Sequence, residues 1–188
     1  SQLVGTTFTQ PPTSMVAGIS PSSGAMSPTV VVQLDEIRIG DGGTSGGGTG
    51  AYCAAAPNST GASGALNATG SFVAAANDVT LNASSLPANA FGFFITSQTQ
   101  GFVSGPAGSA GNLCVGGAIG RYVAPGQIQN AGSAGAFSLA LDLTQTPTPN
   151  GLVSVAAGET WNFQAWYRDS SGGQPTSNFT SGFRIDFL

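Results

Sequence analysis

Histidine and lysine are absent from this chain, and charge of either sign is scarce. Asp, Glu and Arg together make up 6% of the residues, against about a quarter in ordinary soluble domains. The basic residues are four arginines, and the formal net charge is −4. Such a chain lacks the clustered cations that displace counterions from nucleic acid or hold an anionic membrane surface, so neither is expected as a partner. Without His or Lys, a nucleophilic serine has no conventional base and there is no Schiff-base amine. Catalysis would fall to Asp35, Glu36, Asp41, Asp78, Asp142, Glu159, Asp169 and Asp186, and each has a simpler place on a strand surface, in a turn or beside an arginine. The chain therefore reads as non-enzymatic, with no cofactor.

Cysteine is nearly absent too. Cys53 and Cys114 allow one intrachain pairing, and a disulfide there would contribute about 4 kcal/mol on the chain-entropy model. Two buried free thiols are the alternative. Two thiolates without histidine do not complete a usual zinc set. Calcium at Asp41-Gly42-Gly43 or at Asn77-Asp78 lacks the roughly six to eight oxygen ligands it takes. No metal is expected. No apolar run approaches the roughly 20 residues that span a bilayer. Ser1 in first place, with no basic segment leading into an apolar one, fits a mature secreted chain. The sequons at Asn58, Asn67, Asn82 and Asn178 are frequent by chance in so Asn/Ser/Thr-rich a chain.

What is present is strand pattern. In Trp161–Asp169, residues Trp161, Phe163, Ala165 and Tyr167 share one face of a period-two strand, and Asn162, Gln164, Trp166 and Arg168 the other. A polar turn over Asp169–Asn178 and a last strand carrying Phe183, Ile185 and Phe187 complete a predicted hairpin. Phe137, Leu139, Leu141 and Leu143 alternate as cleanly. Shorter apolar stretches fall at 72–73, 79–81, 91–95, 113–115, 119–123 and 152–155, between Asn-, Gly-, Pro- and Ser-rich turns. No helical stripe with caps is found. The pattern predicts an all-β fold, a single antiparallel β-sandwich or jelly-roll-like domain over 51–188. Its expected core comprises Phe93, Phe137, Leu139, Leu141, Trp161, Phe163, Phe183, Ile185 and Phe187. An ion pair across strands is expected between the Arg168-Asp169 and Arg184-Asp186 regions.

Upstream, residues 29–50 read as a strand, Thr29–Ile39, followed by a Gly-rich linker. Val30, Val32 and Leu34 share one parity, Ile37 and Ile39 the other, and a phase switch at Asp35-Glu36 marks a bulge or sheet edge. Residues 1–28, with Pro11-Pro12, Pro21 and Pro28, read as an extended Pro/Ser/Thr-rich arm.

From Tyr52 onward the order of short motifs is that of a recognisable module. They run through Asn58-Ser59-Thr60-Gly61, Asn77-Asp78-Val79-Thr80-Leu81, Gly111-Asn112-Leu113-Cys114 and Ile119-Gly120-Arg121. They continue with Pro147-Thr148-Pro149-Asn150-Gly151, the stretch Gly158–Asp169 and Ser177-Asn178-Phe179-Thr180. As a set over 52–188 they resemble an uncharacterised β-rich module of secreted and cell-surface proteins of environmental bacteria. The resemblance implies secretion, a β-rich fold and a paired Cys53–Cys114, and it implies no assigned activity.

Two functional classes compete. One is a structural subunit of an extracellular filament, sheath or surface layer, a head-to-tail homopolymer. In it the N-terminal arm adds a strand to a neighbour, and Leu3, Val4 and Phe8 fill pockets between sheets. The other is a carbohydrate-binding or adhesive module that stacks an extracellular polysaccharide on Trp166, beside Asn162 and Gln164; coverage of Trp166 by a second sheet or by the arm would argue against it. Circular dichroism of the purified chain should show helix below about 15%, far under the third typical of globular proteins. A larger value overturns the all-β reading.

Overall fold

A computed structural model describes residues 48–188. The arm with Leu3, Val4 and Phe8, the strand at 29–39 and most of the Gly-rich linker, Asp41 included, lie outside the described residues.

The described chain is all-β and antiparallel. Its strands are β1 (Gly50–Tyr52), β2 (Ala65–Ser71), β3 (Asp78–Ser84), β4 (Phe91–Ser97), β5 (Thr99–Ser104), β6 (Asn112–Gly116) and β7 (Gly120–Arg121). They continue as β8 (Gln129–Asn130), β9 (Phe137–Leu141), β10 (Thr146–Thr148), β11 (Gly151–Val153), β12 (Thr160–Ser171), β13 (Gln174–Phe179) and β14 (Gly182–Asp186). The only helical elements among the described residues are 3-10 turns at Ala74–Ala76 and Pro106–Gly108.

β12, at 12 residues the longest strand, is the axis of a seven-stranded sheet ordered β1-β14-β12-β4-β7. One of its edges pairs with β4 over Asn162–Tyr167. The other edge pairs first with β14 and then with β13, and β8 extends the far side of β4. The segment predicted as a turn is thus mostly strand. The reversal itself needs only Gly172-Gly173, with φ of 57° and 79°. Two consecutive positive φ values define the tight hairpin turn whose twist matches the flanking strands, and glycine adopts it without Cβ strain.

The face carrying Trp161, Phe163, Ala165 and Tyr167 packs on a three-stranded sheet, β2-β3-β9. That sheet contributes Leu66, Val79, Leu81, Ala83, Phe137 and Leu141, all buried. Phe94 and Phe137 meet across the interface with ring centroids 5.1 Å apart, inclined at 66°. Gly92 lets the layers close: a Cβ there would strike the Phe137 ring and the Trp166 carbonyl. Each large side chain buried here stabilises the fold by about 1.5–3 kcal/mol. Among the expected core residues, Trp161, Phe163, Phe137, Leu141, Ile185 and Phe187 are buried in this core, and Leu139 and Phe183 are partly buried against it. Phe93 is not in it. Phe94 takes that place, and Phe93 points through the opposite face of the sheet into a smaller cluster with Trp166.

The opposite face of β12 is also covered, by the β5-β6 hairpin. Gln164, fully buried, holds this outer layer with three hydrogen bonds. Its Oε1 accepts from Cys114 N at 2.9 Å, and its Nε2 donates to Asn112 O and Thr180 O, both at 2.8 Å. Asn162 donates to Ser97 O and accepts from Gln100 Nε2. The Cys53–Cys114 disulfide, Cα–Cα 6.1 Å, ties the chain just after β1 to β6, and Tyr52 Oη donates to Cys114 O at 3.0 Å. The expected cross-strand ion pair is not formed. Arg184 instead pairs with Asp186 of its own strand at 2.8 Å, because alternate residues of one strand share a face.

Gln164→Leu leaves buried backbone groups of Asn112, Cys114 and Thr180 without partners, each worth roughly 1–3 kcal/mol. A loss of about 3 kcal/mol is expected, read as a drop in Tm of roughly 10 °C. Tyr122 provides the contrast: its buried hydroxyl and that of Thr146 make no hydrogen bond to described residues. Tyr122→Phe should shift Tm by no more than about 2 °C.

Candidate functional site

The smaller cluster opens to solvent. β4, β12 and β13 are adjacent, and their register sets Phe93 opposite Trp166 and Trp166 opposite Phe179. The result is a row of three aromatic side chains across three strands, all on the outer face. Phe93 and Trp166 lie with centroids 5.0 Å apart and planes tilted by 31°. Phe179 is buried, while Trp166 and Phe93 are half-buried. Val115 of the outer hairpin closes over Ile95, and Trp166 at its margin remains open along a groove of about 400 Å³. Leu113, Ile119 and the Pro106-Ala107 turn wall that groove. A second recess of about 420 Å³ shares Phe93 and Trp166 and adds Phe91 and Ile128, which are 51% and 53% exposed.

Trp166 is thus partly buried against Ile95, Val115 and Phe179 and lines the groove; its coverage by the arm falls outside the described residues. The amides expected beside it are not available to a ligand. Asn162 and Gln164 are buried and bonded within the protein, because the outer layer sits directly on them. The polar groups at the groove are Arg121, Arg168 and Ser177. Arg121 stands opposite Ile95 on β7, and Arg168 lies two residues beyond Trp166 on the same strand face. Both arginines are exposed, and no carboxylate occurs among the described lining residues. Phe179 was illegible as a groove residue because β13 read as a turn. Phe91 and Arg121 share their faces with Phe93 and Ile95, and that parity was the signal for them.

Four of the described carboxylates, Asp142, Glu159, Asp169 and Asp186, are engaged elsewhere. Asp169 accepts from Ser59 N and Ser170 N on one oxygen and from Asn178 Nδ2 on the other. Burial pushes its pKa up, but the hydrogen bonds from Ser59, Asn178 and Ser170 outweigh burial and hold it below the ordinary value. Asp186 is held low by Thr160 first and then by Arg184. Burial pushes the Tyr167 phenol up to about 12. Two sequon asparagines are structural: Asn58 bonds to Ser85 O and Tyr167 Oη, and Asn178, fully buried, bonds to Pro57 O. Asn67 and Asn82 stand opposite each other on β2 and β3. Asn77, considered for calcium, accepts from Leu143 N and donates to Asp142. Among the described residues no three His, Cys, Asp or Glu side chains converge as a metal site would require.

Comparison with protein-family models, with curated proteins and with solved structures finds no match.

The depressed carboxyls fix the pH dependence. A carboxylate with a lower pKa folded than unfolded contributes stability above the unfolded value, about 3.9, and that contribution is lost as pH falls through the folded value. With no histidine in the chain, Tm should be level from pH 8 to about 5 and fall below about pH 4. Asp169→Asn should lower Tm at pH 7 and reduce the acid-side fall. A midpoint of stability loss near pH 6 contradicts this assignment.

Proposed function

We propose that this is a non-enzymatic, secreted structural protein, a subunit of an extracellular filament, sheath or surface layer. In this proposal the N-terminal arm of one copy packs on the next by strand addition. Secretion is supported by the disulfide, which belongs to an oxidising compartment, and by the motif resemblance over 52–188.

The observation that carries assembly is the open edge of β9. β9 is a terminal strand of the three-stranded sheet, and no described residue hydrogen-bonds to the backbone of its second edge. Its sequence, Phe137-Ser138-Leu139-Ala140-Leu141, contains no Lys, Arg or Pro, the residues that usually blunt such edges. Leu139 faces the core yet is only partly buried, as expected where one more strand belongs. The outer edge of β5 is also uncharged, but a register shift between Gln100 and Val103 interrupts it. An incoming strand carrying Val4 and Phe8 on one face, with Leu3 on the other, would supply apolar side chains to such an edge. Because donor and acceptor surfaces differ, the contact does not close on itself and propagates as a fibre. Scarce charge helps, since few ionic groups are desolvated when subunits meet.

Electron microscopy of concentrated full-length protein should show ordered fibres. Deletion of residues 1–27 should leave a disulfide-bonded monomer with unchanged Tm that does not elongate. Fibres of the same helical repeat from the deleted chain would remove the arm as connector. A full-length chain that stays monomeric at high concentration would overturn the assembly itself.

A further inference from the structure

We infer that the groove along Phe93, Trp166 and Phe179 is a binding site for an anionic polysaccharide, a chain of linked sugars bearing carboxylates. The half-buried rings of Trp166 and Phe93, beside the buried Phe179, stack on sugar faces, and Arg121 and Arg168 receive the acidic groups. The site is independent of assembly through the arm.

The floor is flat, because it is the face of a sheet, and apolar, because the row is aromatic in all three strands. Phe93 and Trp166 are stacked on each other, with centroids 5.0 Å apart and planes tilted by 31°, and both are half-buried at the groove. That geometry fits a ligand with apolar C–H faces and polar groups around its rim. The two arginines lie on opposite sides of the row, Arg121 beyond its β4 end and Arg168 on its central strand. Arg121 is one pair below it, opposite Ile95, and Arg168 is two residues above Trp166. Strand rise and spacing place their backbones about 17 Å apart on a diagonal, which suits a chain of several sugars better than a single one. Each guanidinium offers paired N–H donors matched to a carboxylate. Among the described residues no carboxylate lines the groove. Asp142 is bound by Thr144, Asp169 by Ser59 and Asn178, and Asp186 by Thr160 and Arg184.

An acidic peptide is the rival occupant, and the backbone around the groove disfavours it. A bound peptide strand takes its affinity from main-chain hydrogen bonds. β12 is paired on both edges, and β4 lies between β12 and β7-β8. The free side of β13 is met by the Gly108–Ala110 loop, through Ala110 N to Ser177 O and Thr176 Oγ1 to Gly108 O. In β6, Asn112 O, Cys114 N and Cys114 O are taken by Gln164 and Tyr52. A saccharide makes no such demand.

The test uses the full-length chain with polygalacturonate, its fully methyl-esterified form and polyglutamate as probes in affinity electrophoresis. Retardation by polygalacturonate is expected, weakened at least about tenfold in Trp166→Ala. Arg121→Gln with Arg168→Gln should produce a similar loss, and the wild type should lose binding as salt rises. The arginines are exposed, so the double variant keeps its Tm; this guards against the case in which Trp166→Ala unfolds the site. No retardation by polygalacturonate, equal retardation by the ester, or indifference to the arginine pair overturns the inference. Equal or stronger retardation by polyglutamate overturns it in favour of an acidic peptide.

Discussion

Gln164 carries a constraint on which the architecture depends. β12 is buried on both faces, so the parity that would face water in a two-layer sandwich must be satisfied inside the protein. A buried amide costs stability unless its donors and acceptor all find partners. Gln164 finds them in the backbone of β6 and in Thr180 O, and Asn162 finds them in Ser97 O and Gln100. The outer hairpin contributes few large apolar side chains, and its position is set by these amides and by the Cys53–Cys114 bond. Specificity here comes from directed bonds where area is small, the opposite of the arrangement on the inner face.

This division explains what sequence parity revealed and where it stopped. Alternation identifies buried faces when one side is wet, and it located β9, β14 and the Trp161 face of β12 correctly. It is silent for a strand buried on both sides: parity put Asn162, Gln164 and Trp166 on one face but did not decide whether that face is open or covered, nor that the β5-β6 hairpin lies on the two amides. β4 shows the same limit. Phe91, Phe93, Phe94 and Ile95 are all apolar, so parity alone did not choose between Phe93 and Phe94 for the inner core. β13 was hidden for another reason. Its Gln174-Pro175-Thr176-Ser177 start has turn composition, and only pairing with Arg168–Ser171 across the two glycines makes it a strand. β2, Ala65–Ser71, has a single large apolar residue, Leu66, and is a strand because β3 lies beside it. The disulfide pairing was legible because two cysteines leave a single intrachain choice.

Scarcity of charge has a structural counterpart. The usual ways of protecting a sheet edge rely on lysine, proline or an inward charge. Lysine is not in the chain, and several of the described charges do local work: Asp142 and Asp169 organise turns and loops, and Arg184 and Asp186 pair on β14. Edges are instead blunted by brevity in β1, by the bulge in β5 and by side-chain capping in β6. Among the described residues β9 receives none of these, and β2, the other terminal strand of its sheet, likewise has no Lys, Arg, Pro or bulge. In the proposed assembly a strand donated by another copy would pair with the β9 edge through the same main-chain bonding that builds the rest of the fold.

The groove follows from the same economy. The outer hairpin is too narrow to cover the whole outer face of the seven-stranded sheet, so the aromatic parity of β4, β12 and β13 is sheltered at one end and open at the other. A protein under pressure only to bury area would place small or polar residues in the open part, as β12 itself does at Ser170 and Ser171. Here the open part holds Trp166, Phe93 and Phe91, and the two arginines beside them are the described basic residues without an ion-pair partner among the described residues. Half-covered rings stand here beside two arginines that have no ion-pair partner among the described residues, and in the proposed binding an acidic polysaccharide would meet both halves of that surface at once.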